Sequence, residues 1–114
     1  PHLVPMNRGI LATEYAKLTR PVSWEEVRAV YEKYYKEETF IRLLDKGVFP
    51  ETKWVEGSNY VDIGFHIDER TGRMIMLGAI DNLVKGAAGQ AVQNMNLVFG
   101  LPEDEGLKLV PMFP

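Results

Sequence analysis

Tyr60-Val61-Asp62-Ile63-Gly64-Phe65-His66-Ile67-Asp68 decides the fold class. Val61, Ile63, Phe65 and Ile67 alternate with Asp62, Gly64, His66 and Asp68, which gives an extended chain one apolar and one polar side: a half-buried strand. The polar connection Asp68-Glu69-Arg70-Thr71-Gly72-Arg73 has hairpin length, and Gly72 is available for a positive φ. Met74 to Ile80 then supplies the returning strand.

Upstream, residues 2 to 18 are rich in Leu, Val, Ile, Ala, Thr and Tyr, interrupted by Pro5 and by Asn7-Arg8-Gly9. They read as an extended segment, a bend near Gly9 and a strand from Ile10 to Leu18. Ser23 and Glu26 have capping-box spacing, and Glu25 and Glu26 suit a first helical turn. The helix that follows places Val27, Val30, Tyr31 and Tyr34 on one stripe and runs about three to four turns. Thr39 to Leu44 is β-rich and stops at the turn signal Asp45-Lys46-Gly47. Val48 to Ser58 has no clear period and reads as a loop with, at most, a short irregular strand.

Downstream, a helix is expected from Leu83 to Phe99, with Val84, Ala88, Ala91, Val92, Met95 and Val98 or Phe99 on one face and a stop at Gly100-Leu101-Pro102. The last residues form an acidic turn and an apolar tail, Leu107, Leu109, Val110, Met112 and Phe113. The order β, α, β, β, β, α argues an α+β fold, helices packed on one face of a mostly antiparallel mixed sheet.

With 114 residues, the chain is the size of one domain or part of a larger one. Its formal charge of −3 and its scattered Lys and Arg give no basic footprint, so nucleic acid is not an expected partner. No apolar run approaches the roughly 20 residues that span a bilayer, and no signal pattern opens the chain, which reads as cytoplasmic without a membrane partner. The absence of cysteine excludes disulfides, thiolate metal sites and a cysteine nucleophile within these residues. The chain begins at Pro1, inside what reads as a strand, and this is expected of a piece of a longer polypeptide.

His2 and His66 are the only histidines, and no Asp/Glu/His cluster has metal-ligand spacing, so no metal is expected. His66 reads as a surface residue on the polar side of its strand. Arg8, beside Gly9 at the bend, has two readings: a two-pronged grip on a carboxylate or phosphate, or a structural pair to a carbonyl or an acidic side chain. Paired acids such as Glu25-Glu26 and Glu103-Asp104-Glu105 lie at helix ends and turns and read as solvated. Ser23 and Ser58, the only serines, lie in no Gly-x-Ser-x-Gly elbow. Asp81-Asn82-Leu83-Val84-Lys85-Gly86-Ala87-Ala88-Gly89 concentrates small residues beside an Asn and a Lys at a helix start. It suits close packing against a neighbouring element or contact with a ligand. It is not a dinucleotide fingerprint, for it lacks the Gly-x-Gly-x-x-Gly spacing after a strand.

Pro1-His2-Leu3-Val4-Pro5-Met6-Asn7-Arg8-Gly9-Ile10-Leu11-Ala12 and the stretch from Asp81 to Asn94 together resemble the C-terminal part of the N-acetyl-gamma-glutamyl-phosphate reductase family, within the semialdehyde dehydrogenases. The resemblance implies a glyceraldehyde-3-phosphate dehydrogenase-like C-terminal domain in residues 1–79, catalytic and dimerising, and a helix and tail in 80–114 that return to a nucleotide-binding domain outside this chain. It implies an NADP-dependent reduction of N-acetylglutamyl 5-phosphate to the semialdehyde in arginine biosynthesis, with the nucleophilic cysteine and the catalytic histidine upstream of Pro1. No catalytic residue then falls in this chain, and the fragment alone is expected to be inactive. Asn82, Lys85 and Gly86 become the expected NADP contacts, while His2 and Arg8 become the substrate-side residues. The implied partners are the chain's own N-terminal domain, a small-molecule acyl phosphate and a second copy in a dimer or tetramer. Two alternatives stay open: a sister reductase of aminoadipyl, glutamyl or aspartyl phosphate, and a non-catalytic α+β dimerisation module.

Overall fold

The computed structural model, which describes residues 1–112, runs β1 (Ile10–Lys17), α1 (Trp24–Tyr35), β2 (Ile41–Leu43), β3 (Val61–Asp68), β4 (Arg73–Ile80) and α2 (Gly89–Val98). A 3-10 turn at Thr52–Trp54 stands where a short strand was the alternative to a loop, and a π-helical turn at Val84–Ala88 precedes α2. The sheet order is β1-β4-β3-β2. β4 pairs antiparallel with both β1 and β3, and only β2 joins in parallel, so the sheet is mixed and mostly antiparallel as expected.

The hairpin turns at Gly72, whose φ is 64°. In register, Val61 and Ile80 stand opposite each other, as do Phe65 and Met76. This apolar side of β3 and β4 is covered by α1. Phe65, 3% exposed, lies between the rings of Trp24 and Tyr31, with centroids 5.1 and 5.2 Å away. The Trp24 indole N–H donates to the Phe65 carbonyl at 3.2 Å, which satisfies its polar edge in a half-buried site.

α1 starts where its capping box predicts. The Ser23 hydroxyl accepts from the Glu26 N–H at 3.1 Å, and the Glu26 carboxylate accepts from the Ser23 N–H at 2.9 Å. Its packed stripe is rotated from the one expected: Trp24, Val27, Tyr31 and Tyr35 turn inward, while Val30 and Tyr34 are 55% and 65% exposed. Both sets have helical spacing; the ring stack on Phe65 selects the one that begins at Trp24.

The other side of the sheet is polar along β3, but it is not all wet. Asp62 is 1% exposed and takes a two-pronged grip from Arg42, at 2.6 and 3.0 Å. Gly64 lies beneath the 48–50 loop, where a Cβ would come within 2.9 Å of the Val48 carbonyl oxygen. His66 is exposed, as read from the sequence.

The single helix expected from Leu83 to Phe99 divides in two. The Gly86 N–H bonds the Asp81 carbonyl and the Ala88 N–H bonds the Leu83 carbonyl, both five residues back, so the first turns are widened before α2 becomes regular. α2 buries Gly89, Gln93 and Asn96, not the apolar face read from the sequence. Asn96 donates to the carbonyls of Glu103 and Glu105 at 3.1 and 2.9 Å, which draws the polar face inward. Ala88 and Ala91 are consequently exposed, and Met95, Val98 and Phe99 are 46%, 80% and 74% exposed. In the tail, Leu107 is buried and the Met112 N–H donates to the Glu56 carbonyl; Phe113 lies outside the described residues. Among the described residues, no helix is long and apolar enough to cross a membrane.

Candidate functional site

β1 and β4 run antiparallel with Ile10 opposite Ile80, which places the Asn7-Arg8-Gly9 bend beside Asp81-Asn82 at the end of β4. Asp81 is fully buried and accepts four hydrogen bonds. Its Oδ2 takes the Arg8 Nε–H at 2.8 Å and the Gly57 N–H at 2.6 Å; its Oδ1 takes the Leu83 and Val84 N–H groups at 2.7 and 3.0 Å. One carboxylate thus joins the N-terminal segment, the 51–57 loop and the start of the π-helical turn. Burial pushes its pKa up, but the N–H donors of Gly57, Leu83, Val84 and Arg8 outweigh burial and hold it below the ordinary aspartate value.

Asn82 repeats the connection one residue on. Its Oδ1 accepts from the Gly9 N–H at 2.7 Å, and its Nδ2 donates weakly to the Asn7 carbonyl at 3.4 Å, which leaves an amide N–H for another acceptor. Gly9 requires its missing side chain: its φ is 100°, and a Cβ would lie 2.7 Å from Thr52 Cβ.

Of the five expected site residues, the structure brings Arg8 and Asn82 together around Asp81. Lys85 and Gly86 follow on the adjoining turn. Gly86 is exposed, and a Cβ there would come no nearer than 3.5 Å to the chain, so nothing inside these residues demands glycine. Ala87 and Ala88 on the same turn are exposed as well. Lys85 is half-buried: its Nζ donates to Gln93 Oε1 at 2.7 Å and stands 5.5 Å from the Phe40 ring centroid. Burial lowers its pKa, and Glu103 partly opposes the shift. His2 lies apart, against the outer edge of β1, with Nε2 2.7 Å from Thr13 Oγ1 and its backbone N–H donating to the Leu11 carbonyl.

Of the two readings of Arg8, the acidic partner is present, and it is Asp81, which the sequence reading did not single out. Its signal was an Asp immediately after a strand and before a helical run, where a cap is expected. A second missed cluster lies under α2. Asn59, fully buried, donates to Gln93 Oε1 at 3.0 Å; Gln93 donates to the Glu103 carboxylate. Asn59 Oδ1 has no hydrogen-bond partner and rests against Gly89, where a Cβ would collide with it.

No group of three His, Cys, Asp or Glu side chains could hold a metal among the described residues. A groove of about 660 Å³, lined by Leu18, Arg20, Val22, Glu26, Ile67 and Gly72, lies at the opposite end of the strands from Asp81.

Comparison with known proteins gives this geometry its family. N-acetyl-gamma-glutamyl-phosphate reductases from Lachnoclostridium phytofermentans and Lachnospira eligens are 72% and 70% identical to the chain over all 114 residues. The chain spans about a third, 33%, of the length of each. Aspartate semialdehyde dehydrogenase II from Vibrio cholerae superposes with a TM-score of 0.68 at 25% identity, over 85% of this chain and 29% of that one. Residues 1–82 match the family described as semialdehyde dehydrogenase, dimerisation domain, and the chain belongs to that family.

Proposed function

We propose that the chain is the C-terminal third of an NADP-dependent reductase that converts N-acetylglutamyl 5-phosphate to N-acetylglutamate 5-semialdehyde and phosphate, in the cytoplasm, for arginine biosynthesis. The 72% identity to a reductase of that name across every residue of the chain carries this reading. It favours the N-acetylglutamyl substrate over aspartyl phosphate, since the aspartate semialdehyde dehydrogenase is 25% identical. A match to a dimerisation domain over residues 1–82 supports a homo-oligomer, dimer or tetramer, built on the sheet. In this reading residues 1–79 form the catalytic and dimerising part, and residues 80–114 close on a nucleotide-binding domain; the exposed Ala88, Ala91, Met95, Val98 and Phe99 of the last helix support that second role.

The residues present suit NADP. Asn82 offers an amide N–H, Gly86 leaves an open surface that internal packing does not require, and Lys85 supplies a cation on the same turn. When bound, the cofactor supplies the hydride that reduces the acyl group. Asn82 orients the cofactor's amide-bearing end and Arg8 takes the anionic substrate, whereas His2, the other expected substrate-side residue, is held by Thr13 at the edge of β1 and reaches the substrate only if the bound molecule extends along that edge. The nucleophile and the acid/base belong to the rest of the reductase, so the 114 residues alone are inactive.

In the full-length protein, Asn82→Ala is expected to raise the NADPH KM or lower kcat by about 1–3 kcal/mol of lost hydrogen bonding. Because Asn82 also holds Gly9, Asn82→Asp serves as the comparison: it keeps the acceptor for the Gly9 N–H and loses the amide donor. Both variants should shift the NADPH parameters. Unchanged kinetics in both would sink the assignment.

A further inference from the structure

We infer that Asp81 is the positioning residue for Arg8, and that the free end of the Arg8 guanidinium takes the carboxylate or phosphate group of the substrate. The inference rests on the reductase reading and assigns the substrate contact within it.

Two Arg–Asp pairs in this chain differ in how many guanidinium nitrogens reach the carboxylate. Asp62 receives Arg42 through both Nε and Nη2, at 2.6 and 3.0 Å. Asp81 receives Arg8 through Nε alone. The reason is occupancy: Gly57 shares Oδ2, and Leu83 and Val84 fill Oδ1, so four donors saturate the carboxylate and it has no place for a second guanidinium nitrogen. Nη1 and Nη2 of Arg8 therefore have no partner among the described residues, on a side chain 33% exposed.

The guanidinium is also held in place. Gly9 is clamped by Asn82 and pressed against Thr52, which fixes the backbone directly after Arg8, while Asp81 fixes Nε. A planar fork anchored at its inner nitrogen presents two parallel N–H bonds outward, the geometry that matches a carboxylate or a phosphate. Holding the fork before the anion arrives reduces the ordering cost of binding.

The reverse reaction of the full-length protein tests this, because inorganic phosphate and the semialdehyde, with its carboxylate, are then separate reactants. Arg8→Lys keeps a cation for Asp81 and removes the two-pronged end. The expected result is a rise of about tenfold or more in KM for phosphate or for the semialdehyde, with kcat within about threefold and the NADP KM within about twofold. The reactant affected names the group that Arg8 holds. Asp81→Asn should raise the same KM, with little added in the double variant, because both act through one guanidinium. If Asp81→Asn does not fold, Asp81→Glu, which keeps the charge and moves the anchor by one methylene, takes its place, and an anion KM unchanged in Asp81→Glu would overturn the positioning role. Anion KM values unchanged in Arg8→Lys, or a rise confined to NADP, would overturn the inference while the reductase reading stands. A wild-type protein inactive with every acyl phosphate would overturn both.

Discussion

Asp81→Ala is expected to destabilise the protein by about 2–4 kcal/mol, because the lost carboxylate is fully buried and takes three backbone N–H donors, while its partner Arg8 is one-third exposed and can be rehydrated. The substitution strands the N–H groups of Gly57, Leu83 and Val84 and leaves Arg8 without its anion. Each buried donor left unsatisfied costs on the order of 1–3 kcal/mol, and the losses are not additive because water and local rearrangement recover part of them. The bend at residues 7–9, the 51–57 loop and the π-helical turn lose their common anchor together. Urea unfolding followed by tryptophan fluorescence measures the cost.

The same residue sets an acid limb. The folded-state pKa of Asp81 lies below its unfolded value, so its stabilisation is complete above the ordinary aspartate range and disappears as pH falls through the folded value. Wild type should therefore lose this increment on acidification, and the gap between wild type and Asp81→Ala should close. A gap independent of pH would mean that the carboxylate's charge is not what holds the three segments.

Phe65→Ala is expected to cost about 3–5 kcal/mol, the usual range for truncating a buried ring. Phe65 is 3% exposed and is the central ring of a three-ring stack with Trp24 and Tyr31, so its removal opens a cavity between β3 and α1. Phe65→Leu should cost less, since it fills most of the volume and forfeits mainly the ring contacts, worth roughly 0.5–1.5 kcal/mol per pair. Equal losses for the two variants would show that stacking, not volume, dominates. A loss below about 1 kcal/mol for Phe65→Ala would contradict the placement of α1 on this face.

Local patterns made the sheet legible. Period-two alternation from Val61 to Asp68, the Gly72 hairpin and the Ser23/Glu26 cap each contain their own signal, and each appears where read. What was not legible depends on partners distant in sequence. Val30 and Tyr34 have the spacing of a packed stripe, but the choice of Trp24 and Tyr35 instead is made by Phe65, about forty positions away. α2 carries a plausible apolar face that turns outward because Gln93 and Asn96 answer polar groups of residues 59 and 103–105. An apolar stripe in a fragment does not say whether its partner lies inside the fragment.

The site divides in the same way. Arg8 and Asn82 are more than seventy positions apart, and sequence resemblance placed both near substrate and cofactor without relating them to each other. Their connection through Asp81 became visible only when β1 and β4 were paired in register. Lys85 is tied to Gln93 inside the chain, a contact that spacing along a regular helix would not disclose, since a widened turn lies between them.

A substrate comparison tests the reductase reading: NADPH consumption by the full-length protein with N-acetylglutamyl 5-phosphate, aspartyl phosphate and carrier-linked aminoadipyl phosphate under identical conditions. kcat/KM for N-acetylglutamyl phosphate should exceed that for the other two by about a hundredfold or more, as when a site built to bond a substrate's polar groups meets a molecule that lacks them. A preference for either of the others, or no NADPH consumption with any of the three, would contradict the reductase reading.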